Sequence, residues 1–217
     1  RYETLATAIA ATYMNIPLGH IQGGEVSGNL DENVRHAITK LSHYHFATTK
    51  NSKQRLIKLG EEKKRIFLTG CPSMDLVNYK HKKIHKNFEQ EIYGTGNILN
   101  SKKPYIVAIN HPLSTSTKEN AANAKIFLES LLLRSEQIVL FWPNADAGND
   151  VLAKTIRDYR ETRKMNNFSF IINISPENYV TLLSNSICLV GNSSSFIREG
   201  SQLGMPAVIV GDRQNNR

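Results

Sequence analysis

The stretch ICLVGNSSSFIREGSQLGMPAVIV, residues 187–210, reads as a strand, a helix and a second strand. Ile187 to Val190 is a short apolar run that ends at Gly191, as expected of a strand buried on both faces. The serines at 193–195 are N-cap residues, and a helix is expected over Ser194 to Leu203. Ala207 to Val210 is the next strand. Two apolar strands separated by a helix imply a parallel sheet with helices packed on it.

The same alternation extends outward in both directions. Strands are expected at 105–109, 137–141 and 168–172, with helices at 118–134, 150–165 and 176–184. Nearer the start, a helix at 2–14 precedes strands at 17–22, 45–49 and 65–69 and helices at 31–41 and 51–59, with a short helix beginning at Pro72. Residues 79–103 lose this rhythm; they are polar, contain Gly94-Thr95-Gly96, and read as a linker or crossover. The expected organisation is therefore α/β, with one Rossmann-like domain over 1–78, a linker over 79–103 and a second over 104–217. In open parallel sheets ligands bind beyond the carboxyl ends of the strands, so the loops after strands are where chemistry is expected.

Composition narrows the function classes. The chain has 217 residues, 40% of them apolar, enough for a core, and no apolar run approaches the length of about 20 residues that a membrane helix needs. Arg1 falls inside a helical pattern and Arg217 inside a turn, so a fragment truncated at both ends is expected. Cys71 and Cys188 are far apart with no CxxC, which fits a reducing, cytoplasmic setting and argues against a disulfide framework or zinc site. The net charge of +8 suits an anionic substrate. The basic run at 80–86 lacks interleaved aromatic residues, so no nucleic-acid partner is expected.

Four post-strand loops could carry chemistry. His20-Ile21-Gln22-Gly23-Gly24-Glu25 sets a carboxylate beside glycines that let a ligand approach the backbone. Asp31, Glu32, Arg35 and His36 put acid, base and cation at the start of a helix; the acids alone would also complement the helix dipole. Asn110-His111-Pro112 follows an all-apolar strand, and His111 would serve acid–base chemistry, phosphate contact or the structure alone. Gly191-Asn192-Ser193-Ser194-Ser195 could cradle a phosphate at a helix N-terminus, with Glu199 about one turn further on. The loop containing Asn144 and the tail containing Arg213 could contact substrate or merely turn the chain.

Taken together, HIQGGEVSGNLDENVRHAITKLSHYHFATT, GCPSMDLV, INHP, FWPNADAG and GNSSSFIREGSQLGMPAVIVGDRQ resemble the UDP-N-acetylglucosamine 2-epimerase family. The GGEVSG form resembles the hydrolysing branch of sialic-acid pathways rather than the non-hydrolysing branch. The resemblance implies two Rossmann-like domains of glycosyltransferase-B type, both incomplete here. It also implies a UDP-sugar substrate and a homo-oligomer, with no cofactor and no metal. The expected reaction takes UDP-N-acetylglucosamine through 2-acetamidoglucal to N-acetylmannosamine and UDP. Matched to family positions, Asp31, Glu32, His111 and Glu25 are the catalytic candidates. Arg1, Gln22, Arg35, Asn144, Asn192, Ser193, Ser194, Glu199 and Arg213 are the substrate-binding candidates. Many relatives carry Glu where this chain has Gln22, which cannot act as a base, and a Gly-Asp proposed in catalysis precedes the position of Arg1. A 2,4-diacetamido substrate, the non-hydrolysing reaction, a glycosyltransferase on the same fold and a catalytically silent nucleotide-sugar binder stay open as alternatives.

Overall fold

Tyr105-Ile-Val-Ala-Ile109 is apolar at every position, and every one of its side chains is buried. That pattern places it at the centre of a sheet covered on both faces. The computed structural model describes residues 2–27, 31–79, 83–112, 117–143 and 148–215. The chain divides into two compact units, Arg1–Asp75 with Arg213–Arg217, and Leu76–Asp212.

The first unit is a three-stranded parallel sheet in the order β1-β2-β3, with β1 at Gly19–Ile21, β2 at Tyr44–Ala47 and β3 at Ile66–Leu68. Helix α1 (Tyr2–Tyr13) precedes β1, α2 (Asp31–Leu41) joins β1 to β2, and α3 (Lys50–Lys58) joins β2 to β3. Thr49 caps α3 by accepting the amide of Ser52, and Gly60 follows the helix in the left-handed region. Period-two alternation turns His20, His45 and Ile66 inward, while Ile21, Tyr44 and Phe67 are exposed. Ala47, Leu56 and Ile66 form a small core.

The second unit opens with α4 (Pro72–Tyr79), whose first residues fall in the first unit, and α5 (Phe88–Glu91). Its strands are β4 (Thr95–Gly96), β5 (Tyr105–Ile109), β6 (Gln137–Phe141), β7 (Phe168–Ile171), β8 (Cys188–Gly191) and β9 (Ala207–Ile209). They form one sheet ordered β4-β7-β6-β5-β8-β9, parallel except for β4. The helices between them are α6 (Thr117–Leu132), α7 (Asn149–Thr162), α8 (Pro176–Ser184) and α9 (Ser194–Leu203).

Alternating residues of the central strands β5 to β8 enter two cores. Ile106, Ala108, Ile138, Leu140, Phe168 and Phe170 pack with residues of α6 and α7. Val107, Ile109, Val139, Phe141, Ile171 and Leu189 pack with Leu182 and Leu183 of α8 and Phe196 of α9. The polar stretch before β5 contributes Phe88, Ile92 and Leu99 to this second core. The chain runs outward from β5 to β7 on one side and from β8 to β9 on the other. The strand order therefore reverses between β5 and β8, the place where open α/β sheets bind ligands.

Among the described residues no helix is long and apolar enough to cross a membrane, and no group of three His, Cys, Asp or Glu could hold a metal ion.

Candidate active site

At the reversal point, backbone geometry brings two loops together. Asn192 N–H donates to Ile109 O at 3.0 Å. Gly191 has φ 141, and a Cβ there would lie 1.8 Å from Ile109 O, so the end of β8 accepts only glycine. The Asn192 side chain then closes a two-point clamp on the β5 loop: Oδ1 accepts from His111 N at 2.7 Å, and Nδ2 donates to His111 O at 2.8 Å. Asn192 and His111 are both buried. The expectation that Asn192 contacts substrate thus meets a side chain whose amide is engaged in fixing His111.

Ser193 is the N-cap of α9, its hydroxyl accepting from Ser195 N at 3.3 Å. Its oxygen lies 2.8 Å from Ser195 Oγ, which in turn lies 2.5 Å from the phenol oxygen of Tyr179 on α8. Ser194 makes no side-chain hydrogen bond among the described residues, and its amide stands at the first helical position. The start of α9 therefore presents amides, hydroxyls and the positive end of a helix dipole, a suitable seat for an anion.

One turn further along α9, Glu199 Oε2 is buried with no hydrogen-bond partner among the described residues. An unsatisfied buried acceptor costs about 1–3 kcal/mol, so such a group persists where a ligand donor fills it or where activity requires it. Burial raises the Tyr179 pKa above the usual phenol range, and the Glu199 charge raises it further. The phenol stays protonated and remains a donor.

In the first unit the candidates gather around the loop after β1. Gln22 occupies the left-handed region at φ 67, unusual for a residue other than Gly, Asn or Asp. Its amide nitrogen approaches Cys71 Sγ at 3.5 Å. Glu25 Oε1 accepts from Thr48 Oγ1 at 2.8 Å. Arg35 donates to Glu25 O at 3.0 Å and to Ser27 Oγ at 3.3 Å. Glu32 Oε2 accepts from Ser27 N at 2.9 Å, and its Oε1 lies 3.7 Å from His36 Nε2. Glu25, Glu32 and Arg35 thus tie the loop to α2 and β2. Asp31 is the first residue of α2, next to Glu32 in its first turn.

Beneath the loop, His20 Nδ1 pairs with Thr39 Oγ1 at 3.1 Å. Burial first, then the charges of His45, Arg35 and His36, lowers the His20 pKa to about 4, so it is neutral at physiological pH. His45 Nε2 pairs with Glu61 at 3.1 Å, and its pKa is also lowered, chiefly by burial.

Arg213 belongs to the first compact unit and is buried. Arg1 and Asn144 lie outside the described residues. Sequence reasoning passed over Tyr179 and Thr48, and it read Ser195 only as part of the serine loop. Tyr179 lies in the apolar helical pattern of 176–184 and reads as core, and only the fold brings its hydroxyl to the serine loop.

Comparison with known proteins agrees with the fold. A family model described as UDP-N-acetylglucosamine 2-epimerase matches residues 1–217. A UDP-N,N'-diacetylbacillosamine 2-epimerase (hydrolyzing) of Legionella pneumophila is 36% identical over 217 residues, which cover all of this chain and 55% of that protein. A UDP-N-acetylglucosamine 2-epimerase of Neisseria meningitidis is 30% identical, over all of this chain and 55% of its own length. The chain thus spans about half the length of the curated relatives it matches. Among solved structures, UDP-GlcNAc 2-epimerase from Neisseria meningitidis bound to UDP-GlcNAc superposes with TM-score 0.72 at 22% identity, over 98% of this chain and 57% of that one. The Methanocaldococcus jannaschii enzyme in complex with UDP-GlcNAc and UDP gives TM-score 0.74 at 16% identity, over 98% and 58%. Matched by the family model from its first residue to its last, the chain belongs to the UDP-N-acetylglucosamine 2-epimerase family.

Proposed function

We propose that the protein containing this chain is a hydrolysing 2-epimerase of UDP-2-acetamido sugars, converting UDP-N-acetylglucosamine to N-acetylmannosamine and UDP. The observation that carries the reading is the buried oxygen of Glu199, without a hydrogen-bond partner among the described residues, one turn beyond the serine-capped start of α9. A carboxylate there accepts from the vicinal hydroxyls of a ribose. The amides and the Ser193 and Ser194 hydroxyls donate to the diphosphate. Both lie at the sheet's reversal point, beside His111.

The chemistry requires loss of a proton from C2, which no carbonyl acidifies, so departure of the diphosphate must lead. As the C1–O bond breaks with its electron pair going to UDP, positive charge develops at C1 and is stabilised by carboxylates. A base takes the C2 proton and C1=C2 forms. Water then adds its oxygen to C1, and C2 receives a proton on the opposite face. Glu32 Oε2 accepts from Ser27 N, and its Oε1 lies 3.7 Å from His36, so Glu32 is assigned to holding the loop. Asp31, in the first turn of the same helix, is assigned proton transfer. His111 contacts the phosphate or assists its departure. Arg35 holds the Glu25–Ser27 backbone in place, and Arg213, Arg1 and Asn144 are further candidate contacts to the anion.

A second reading, with a UDP-2,4-diacetamido-trideoxyhexose as substrate, is favoured by the relative at 36% identity, named for diacetylbacillosamine. The hydrolysing reaction is supported by the names of that relative and of a 31% identical Campylobacter jejuni relative, both called hydrolyzing. Assay of both sugars with the full-length protein separates the substrates. Free 2-epimeric sugar plus UDP is expected from one of them. Turnover of neither refutes the assignment, and release of an intact UDP-linked epimer refutes the hydrolysing branch. Cytoplasmic location and homo-oligomerisation accompany this proposal.

A further inference from the structure

Resting on that reading of the site, we infer that Tyr179 is a positioning residue: its phenol orients the Ser195 and Ser193 hydroxyls so that Ser193 donates its proton to the diphosphate. Tyr179 OH, Ser195 Oγ and Ser193 Oγ form a chain with separations of 2.5 and 2.8 Å. The direction of the chain follows from counting protons. A phenol is a stronger acid than an aliphatic alcohol, so Tyr179 donates to Ser195. Ser195 then donates its hydroxyl proton to Ser193. Ser193 Oγ also accepts from Ser195 N at 3.3 Å, which occupies both of its lone pairs.

One proton is left over, that of Ser193 itself. Within the cluster its only acceptor is the Tyr179 phenol oxygen, whose lone pairs are partly delocalised into the ring. A phosphate oxygen is the better acceptor, and bonds to charged groups are roughly twice as strong as neutral ones. On arrival of the anion the Ser193 proton turns to it, while the other two bonds keep their direction and polarise the donor. Burial and the neighbouring Glu199 charge keep the phenol protonated, so the chain does not reverse as pH rises through the physiological range. The ring itself is held edge-on against Phe141 at 5.7 Å, which fixes where the hydroxyl points.

Tyr179→Phe keeps the ring and its packing and removes only the head of the chain. In the full-length protein we expect the Kd for UDP, measured by isothermal titration calorimetry, to rise about fivefold or more, within what a charge-assisted hydrogen bond supports. The Kd for uridine, which carries no phosphate, stays the same. Ser195→Ala cuts the chain in the middle and gives the same selective loss. The double variant is no worse than either single one, because the two act through one route.

An unchanged UDP affinity in Tyr179→Phe and Ser195→Ala overturns the inference while leaving the site assignment standing. Equal losses for UDP and uridine also overturn it, since they point to altered packing. Absence of UDP binding by the wild-type protein overturns both the inference and the reading on which it rests.

Discussion

Asn192→Ala is the most direct probe of how the two central loops are held. Asn192 satisfies the N–H and the C=O of His111 at 2.7 and 2.8 Å, and both residues are buried. Alanine leaves both backbone groups without these partners. Each unsatisfied buried group costs about 1–3 kcal/mol. A loss of about 2–6 kcal/mol follows, with the lower figure applying where water enters the vacated space. For a chain of this size that is a fall in melting temperature of roughly 5–20 °C. Trp142 is the sole tryptophan of the 217-residue chain and follows β6 in the same unit, packed on its core, so its fluorescence reports this unit's unfolding. Asn185→Ala is the control: that exposed amide bonds Thr181 O at the end of its own helix, and its removal should cost under about 1 kcal/mol. If Asn192→Ala melts within a degree or two of Asn185→Ala, the clamp contributes no rigidity and the reasoning fails.

Three further outcomes follow from the same geometry. The His20 pKa is lowered to about 4 in the folded chain, against 6.5 for the unbound group, so between these values the unfolded state binds more protons. Stability conferred by neutral His20 is complete above pH 6.5, falls as pH drops through this window and reaches its limit near pH 4, a loss of about 3 kcal/mol at most; denaturant titrations across this range should show it, and His20→Gln should flatten the slope. Glu199→Gln removes a buried acceptor that has no partner among the described residues, so the variant should melt no lower than wild type while its UDP Kd rises tenfold or more, about 1.4 kcal/mol; a variant that binds UDP as tightly as wild type would falsify the ribose role. Asp31→Asn should lower kcat by about 10²-fold or more with little change in melting temperature, whereas Glu32→Gln should chiefly loosen the Ser27 loop, visible as faster amide exchange at Ser27. The reverse pattern would exchange the two roles.

The centre of the second unit's sheet was legible because β5, β6 and β7 are buried on both faces. Tyr105–Ile109 and Ile138–Phe141 are continuous apolar runs between clear turn signals, and α8 and α9 carry Ser175 and Ser193 as caps. The segment before β5 was harder. Gly94-Thr95-Gly96 carries the composition of a linker, yet a Cβ on Gly94 would fall 2.0 Å from Phe170 O. These glycines let a short antiparallel edge strand lie against β7, a reason that only the neighbouring strand supplies.

The site was legible as a set of loops but not as a set of roles. Residue type and position after a strand pick out His111, Asn192 and Ser193. They do not reveal that Asn192 spends its amide on the His111 backbone, or that Glu25, Glu32 and Arg35 bind one another's loop. Those partners are 5 to 81 residues apart in sequence, and hydrogen bonding at such separations leaves no periodic trace. Tyr179 was hidden for the opposite reason. Its helical spacing already accounts for a buried aromatic ring, and nothing in the sequence distinguishes a ring that packs from one that also delivers a hydroxyl.

The central claim is elimination followed by hydration at a UDP-2-acetamido sugar. Incubation of the full-length protein with UDP-N-acetylglucosamine in heavy water, followed by proton NMR, tests it most directly. The account predicts UDP together with free N-acetylmannosamine carrying deuterium at C2. An epimer that keeps its C2 proton, or a product still joined to UDP, would contradict it.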